Sequence, residues 1–162
     1  MKTIYTFVND IISYLDGKFA ADNRFASAKK PTGKIAFDKS LIEKNAKSFY
    51  VVQIMPTNPR DESFNNVLTL TVPLQIDAFA LKGTVGGSQY TAEQMSIVLQ
   101  EIISDYMLEL KYNREKENKN ICLMREVTAS PALPFEDGAR AYQASLRYEF
   151  VIMKDYKNIN SN

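Results

Sequence analysis

The longest regular pattern in the chain is an alternation of apolar and polar residues from Asn66 to Gly83, NVLTLTVPLQIDAFALKG. The residues that share its apolar face are Leu68, Leu70, Val72, Leu74, Ile76 and Ala78. A period of two predicts a β-strand. About fourteen residues at ~3.3 Å each would extend roughly 45 Å, well beyond the usual strand of about five or six residues. Because Pro73 cannot donate to a ladder, the strand must be an edge there, or bulge and bend.

Two segments carry apolar residues at helical spacing. The stripe of the first consists of Ile4, Phe7, Val8, Ile11, Ile12 and Leu15. This helix is expected to end at Gly17. The second helix begins at a Thr91–Gln94 capping box, and its apolar stripe runs from Met95 to Leu110, before a polar connection. Both stripes are one-sided, which predicts that the helices lie on a sheet.

Four further segments are rich in β-branched and aromatic residues and predict strands: KIAFDKS, SFYVVQIMP, ICLMREVTA and the alternating segment 142–152. TNPRDESFNN and SPALPFEDGA are rich in turn residues and predict connections. The order is helix, three strands, helix, two strands. It predicts an α+β domain with a mainly antiparallel or mixed sheet of about five strands and two main helices packed on one face. We expect a single domain over residues 1–153 and a polar C-terminal tail over 154–162.

The composition narrows the classes of function. The chain is 45% hydrophobic and 24% charged, as globular proteins are. Its formal charge of +1 gives no global attraction to nucleic acid or to an anionic membrane. It has no histidine and one cysteine, which excludes histidine-based catalysis and a thiolate metal cage. No apolar run approaches the ~20 residues of a membrane-spanning helix, so we expect no membrane partner.

The candidate chemical motifs are weak. The loop with Gly83, Gly86 and Gly87 lies between a strand and a helix, but it lacks the lysine and the spacing of a nucleotide-binding loop. The acidic pairs 61–62 and 136–137 lie in turn-like segments, whereas catalytic acids must converge in a pKa-shifting environment. Cys122 has no histidine to activate it. We therefore expect no catalytic residues, no cofactor and no metal, and we expect that the chain is not an enzyme.

Two other groups of residues are candidates for contacts. The segment after the first helix carries the basic residues Arg24, Lys29, Lys30 and Lys34. They could touch nucleic acid, but no aromatic ladder interleaves with them, which favours a solvated loop. Tyr142 and Arg147 of the last strand would be interface anchors if the sheet has an exposed face.

The long strand favours self-assembly. An over-long strand leaves backbone groups and one face beyond the core that its own helices can cover, and such edges are often paired with another chain. We therefore expect neighbouring copies to complete it, with head-to-tail contacts closing a ring. Segments 23–34, 57–66 and 130–139 would be further contact arms. The residues predicted to contact a subunit or partner are Pro73, Gly83, Gly86, Gly87, Phe135, Asp137 and Arg140.

The order of elements resembles that of the tail terminator, or tail completion, proteins of long-tailed bacteriophages, which are often labelled minor capsid proteins. The segments that carry the resemblance are TIYTFVNDIISYL, SFYVVQIMP, LTLTVPLQIDAFA, TAEQMSIVLQEIISDYMLEL and PFEDGARAYQASLRYEFVI. They cover most of the chain, from Ile4 to Met153. The resemblance is one of pattern and element order, without a signature motif.

The resemblance implies an α/β subunit that forms a hexameric ring on the end of the tail tube, stops tube elongation and provides the head-joining surface. The implied partners are other copies of the chain, the tail tube protein and a head completion protein, with DNA passing non-specifically through the pore. The implied location is the tail or neck of the virion, after assembly in the host cytoplasm. Another head–tail connector or a tail-tube-like component is the alternative within this class. A small cytosolic ligand-binding protein or enzyme that uses the 83–87 loop and an acidic pair is the alternative outside it.

Overall fold

A computed structural model describes residues 4–24, 30–36, 48–55, 61–64, 67–81, 90–117, 123–135 and 141–155. The elements are α1 (Ile4–Ala21), β1 (Thr32–Lys34), β2 (Phe49–Ile54), β3 (Asp61–Phe64), β4 (Val67–Leu81), α2 (Ala92–Glu117), β5 (Leu123–Ala129), β6 (Leu133–Pro134) and β7 (Ala141–Asp155). The two helices and the mixed sheet in the described part of the chain make this an α+β fold, which confirms the predicted class.

The seven strands form one sheet in the order β1-β2-β4-β7-β5, with β3 beside β4 and β6 beside β7. β1 pairs with β2 in parallel, and the other pairs are antiparallel. The centre is formed by β4 and β7, each of 15 residues. They pair without a register break from Val67 opposite Asp155 to Leu81 opposite Ala141, over about 50 Å. The predicted long alternating strands are thus confirmed, and they pair with each other.

Both helices pack on one face of the sheet and share one core with it. The core is formed by Val8, Ile11, Leu15, Phe19, Met95, Leu99 and Ile103 of the helices and by Tyr50, Val52, Leu74, Ile76, Leu146 and Tyr148 of the strands, among others. The even-numbered residues of β4 from Val72 to Ala80 all belong to this core. Their odd-numbered neighbours therefore point to the other side of the sheet. The burial of these apolar side chains holds the two layers together.

α1 does not end at Gly17, where the sequence predicted it, but continues to Ala21. The added turn brings in Phe19, which is fully buried, with its ring 5.5 Å from that of Tyr90 and 5.7 Å from that of Tyr50. A glycine inside a helix costs about 1 kcal/mol relative to alanine. A buried phenylalanine contributes roughly 1.5–3 kcal/mol. Tertiary packing therefore outweighs the local preference.

α1 and the sheet lie very close together at Gly33 of β1. A Cβ atom on Gly33 would lie 2.7 Å from Ile12 Cγ2 and 2.8 Å from Tyr50 Cε2. The Gly33 N–H donates to Asp16 Oδ1 over 2.9 Å, and the Tyr50 hydroxyl donates to the same oxygen over 2.6 Å. Burial and the contact with Asp16 raise the pKa of Tyr50 well above its usual range. One carboxylate of α1 thus binds both β1 and β2.

α2 begins at the predicted capping box. The Thr91 N–H donates to Gln94 Oε1 over 3.0 Å, and the Gln94 N–H donates to Thr91 Oγ1 over 3.1 Å. The helix then runs for 26 residues, past Leu110, where a polar connection was predicted. The residues after Leu110 are mostly lysine, glutamate and arginine, which favour helix even without an apolar stripe.

Pro73 lies at a gap between two neighbours of β4. On this side, β4 pairs with β2 from Leu74 onward and with β3 only up to Leu70. The Met55 N–H donates to the Pro73 carbonyl over 3.0 Å, so the proline nitrogen faces the same gap. The missing N–H therefore costs no ladder hydrogen bond within β2 or β3. The predicted local edge is confirmed, and the predicted alternative of a bulge is absent from the β4–β7 register.

The shorter strands differ from the prediction. Only Lys34 of the predicted strand KIAFDKS belongs to β1, Ile35 and Ala36 form a bend, and the rest lies outside the described residues. β3 lies in a segment that was predicted to be a connection. It has a poor strand composition, and it forms because it pairs with the start of β4.

Candidate functional site

The face of the sheet opposite the helices carries Pro73 and packs against Phe135, the two predicted subunit or partner contacts that the structure describes. We call it the second face, and we define it by the odd-numbered residues 49–53 of β2, 71–79 of β4 and 141–149 of β7. Pro73 lies on this face, half-buried, opposite Glu149 of β7. Phe135 packs against one end of it.

One end of the second face is apolar. Phe49 and Phe79 are buried, and their rings stack 5.1 Å apart. The Phe135 ring meets Phe79 edge-on at 5.4 Å, and the Phe135 N–H donates to the Ala141 carbonyl over 3.0 Å. Phe135 was predicted as a partner contact. Its ring contacts Phe79 of its own chain, and only the part of the side chain that stays exposed is available to a partner.

The centre of the second face is a buried carboxylate surrounded by amides. Asp77 is 3% exposed. Its Oδ2 accepts from Gln53 Nε2 over 3.1 Å and from Gln75 Nε2 over 2.8 Å. Its Oδ1 accepts from Gln143 Nε2 over 2.9 Å and from the Ser145 hydroxyl. The four donors come from three adjacent strands, so Asp77 links β2, β4 and β7.

This network explains why a carboxylate can be buried here. A buried charge is tolerated only when it is well hydrogen-bonded. Arg147 extends the network, because its Nε donates to Gln75 Oε1 over 3.3 Å. A shift of β4 by one residue would turn Asp77 toward the apolar core, so the network also fixes the register of the sheet. Both oxygens of Asp77 accept hydrogen bonds from neighbouring residues. This geometry is better suited to holding the strands together than to transferring a proton.

Tyr142 and Arg147, the two predicted anchors on β7, lie on opposite faces of the sheet because side chains alternate along a strand. Tyr142 is 39% exposed on the helical side. Arg147 is exposed on the second face, at the rim of the Asp77 network. The two residues therefore cannot belong to one flat contact patch.

Two of the basic residues after α1, Arg24 and Lys30, make contacts within the chain. Arg24 donates to Asp22 from Nε over 3.0 Å and from Nη2 over 2.7 Å, and its Nη1 pairs with Glu101 of α2. The hydrogen bonds from Arg24 lower the pKa of Asp22. Lys30 Nζ donates to the Asp22 carbonyl and lies 5.7 Å from the centre of the Tyr90 ring. These contacts tie the segment to the helical layer, which favours the structural interpretation over nucleic-acid contact.

Several sequence candidates cannot be placed. The predicted contacts that lie outside the described residues are Gly83, Gly86, Gly87, Asp137 and Arg140. Lys29, Cys122 and Glu136 lie outside them as well. The acidic pair Asp61–Glu62 lies in β3 rather than in a turn.

Within the described part of the chain, no three or more histidine, cysteine, aspartate or glutamate residues are grouped so as to hold a metal ion. Neither of the two helices described above combines the length and the apolar character needed to cross a membrane.

The long strand β4 is completed by its own chain. β7 pairs with it along all 15 residues, and β2 and β3 pair with its other side except at residues 71–73 and 80–81. The prediction that neighbouring subunits complete this strand was therefore wrong as far as its backbone is concerned. Among the described strands, β1 and β5 form the two ends of the sheet.

No protein-family model matches this chain, and comparison with curated proteins found no match. The fold and the geometry of the second face are therefore the basis for a functional proposal.

Proposed function

We propose that the chain is a structural protein of a long-tailed bacteriophage, the tail terminator. Its copies would form a ring, a hexamer, that caps the tail tube, stops its elongation and provides the head-joining surface. The main support is the 15-residue β4–β7 ribbon in a sheet with helices on one face. The resemblance to tail terminators rests on the first helix, the strand SFYVVQIMP, the long strand, the capped helix and the last strand, and these segments fall in α1, β2, β4, α2 and β7.

The subunit contacts in such a ring would not use the backbone of β4. The sheet ends in β1 on one side and in β5 on the other. A contact between the β5 end of one copy and the β1 end of the next is head-to-tail, and such contacts close into a ring when the rotation allows. Sheet ends that carry no further strand, as β1 and β5 do among the described residues, are suited to this kind of contact.

The second face supports a structural role over a catalytic one. Its only buried carboxylate among the described residues, Asp77, is occupied by donors from three strands. In the proposed role the chain needs no cofactor. Its partners would be its own copies, the tail tube protein and a head completion protein, with DNA passing through the pore without base recognition. The protein would assemble in the host cytoplasm and remain in the virion.

The proposal can be tested with the full-length chain by light scattering on a sizing column and by negative-stain microscopy. We expect six-fold rings, and we expect them to bind the ends of tubes of the tail tube protein from the same phage. Rings that do not bind the tube ends would favour the alternative that the chain is another head–tail connector component. A strict monomer that binds a nucleotide would contradict the proposal and favour the small ligand-binding protein.

A further inference from the structure

The outer side of α2 presents two large apolar side chains to solvent. Ile97 is 57% exposed and Leu108 is 67% exposed, on the side of α2 opposite its buried stripe. They are eleven residues apart, or about three turns, which puts them on one line about 16 Å long. Glu101 and Ser104 lie between them and are exposed. We call Ile97, Glu101, Ser104 and Leu108 the outer stripe.

The outer stripe has the same chemical order in both directions. Its residues follow at spacings of four, three and four, and they read apolar, polar, polar, apolar. Two antiparallel copies of α2 that cross at the midpoint of the stripe would place Ile97 against Leu108 at both ends. In the middle, each Glu101 would face the small, uncharged Ser104, whose hydroxyl donates to the Gln100 carbonyl of its own helix over 2.9 Å. Sliding one helix by a turn would separate Ile97 from Leu108.

The charges favour the same arrangement. A parallel pairing would put Glu101 against Glu101 of the second copy, and like charges at close range are unfavourable. In the antiparallel pairing the counterpart of Glu101 is Ser104, and the counterpart of Asp105 is Gln100. Arg24 also pairs with Glu101 from within the chain, which offsets its negative charge at the centre of the stripe.

We propose that two copies of the chain associate through the outer stripes of α2, antiparallel and about a two-fold axis. The partner that binds the outer stripe is a second copy of the chain, because the stripe complements itself, as an isologous contact requires. This inference goes beyond the proposed ring and does not depend on it. The contacts within a ring are head-to-tail, whereas the outer stripe joins two free subunits or two rings.

The expected association is weak for a single pair of subunits. One helix from each copy buries much less than the roughly 1,600 Å² of a standard interface. Two rings joined by several such contacts would hold together more firmly, because the contacts after the first become intramolecular.

The first experiment is sedimentation analysis of the full chain over a range of concentrations. Leu108→Glu should weaken self-association at least about tenfold, since the charge enters a two-fold contact twice. Ile97→Glu should have the same effect. The matched control is Leu133→Glu, because Leu133 is 58% exposed but lies in β6. The inference is overturned if Leu108→Glu and Ile97→Glu both self-associate as the wild type does. Six-membered rings that survive Leu108→Glu would leave the proposed ring intact.

The second experiment tests the geometry by cross-linking in a Cys122→Ser background. The two copies of residue 104 lie near the two-fold axis, so Ser104→Cys should be joined by a short bismaleimide. The two copies of residue 97 would be about 16 Å apart along the helices, so Ile97→Cys alone should not be joined. The double variant Ile97→Cys, Leu108→Cys should be joined. Efficient cross-linking of Ile97→Cys alone, or none of Ser104→Cys, would refute the antiparallel pairing.

Discussion

Gly33 and Ile12 are so close that a methyl group on the glycine would lie 2.7 Å from Ile12 Cγ2. The ring of Tyr50 lies on the same side, and its hydroxyl is fixed by Asp16 of α1. The helix and the strand β1 therefore approach each other at a distance that only glycine permits. The position of α1 on the sheet depends on this contact as well as on the apolar core.

We predict that Gly33→Ala lowers the free energy of unfolding by about 1–3 kcal/mol, as overpacking of a close contact does. The methyl group would displace Ile12 or the Tyr50 ring and strain the bonds to Asp16. Urea unfolding followed by circular dichroism measures the change. The control is Gly17→Ala in the exposed part of α1, where a Cβ meets nothing within 4 Å. This control should raise stability by about 0.5–1 kcal/mol. Equal effects of the two changes would contradict the close-approach argument.

The Asp77 network predicts a large effect from a change of one atom. Asp77→Asn replaces an acceptor oxygen with a donor that faces the amides of Gln53, Gln75 or Gln143. We expect a loss of about 1–3 kcal/mol in the free energy of unfolding, because a buried donor is left without an acceptor. Asp105→Asn, the same change at an exposed position of α2, should stay within about 0.5 kcal/mol. If Asp77→Asn leaves the free energy of unfolding unchanged, the network does not hold the strands together.

Asp22 predicts a dependence of stability on pH. The hydrogen bonds from Arg24 lower its pKa from the usual 3.8, so the folded state binds the proton more weakly than the unfolded state. The stabilising contribution of Asp22 is therefore present above its unfolded pKa and is lost as the pH falls through its lowered folded pKa. Urea unfolding from about pH 6 to pH 2 should show a shallower acid loss for Asp22→Asn than for the wild type. If the free energy of unfolding falls equally steeply with decreasing pH in both proteins, the contact between Arg24 and Asp22 does not stabilise the folded state.

Variants of Phe135 test whether the residue that follows β6 is held by its own sheet. Phe135→Ala removes the edge-on contact with Phe79 and should lower the free energy of unfolding by about 1–3 kcal/mol. Phe135→Leu keeps part of the apolar contact and should lose less. Unfolding midpoints measured at two protein concentrations separate this internal effect from a subunit contact, since only a subunit contact makes the loss depend on concentration.

The sequence predicted the features that depend on local pattern. The Thr91–Gln94 capping box and the alternation along β4 and β7 are local, and the structure has both. The end of α1 was missed because the burial of Phe19 depends on Tyr50 and Tyr90, which are distant in sequence. β3 was missed because its pairing with β4, rather than its composition, makes it a strand.

The sequence pattern predicted the polar centre of the second face only in part. The alternation places Gln75 and Asp77 on the face away from the apolar residues, which is typical of a solvent-exposed face. The sequence gives no sign that Gln53 and Gln143 come from other strands to enclose Asp77. A buried aspartate needs such donors, and that requirement can be recognised only after the strands have been paired.

The gap beside Pro73 has a mechanical consequence. At this point β2 has ended and β3 has not begun, so the described sheet narrows to β4 and β7 with β5 beyond them. Within the described sheet, a pull on the β3 end would reach the β2 end through these three strands. The proline stiffens one of the strands where the load is concentrated, because its ring removes a rotatable backbone torsion.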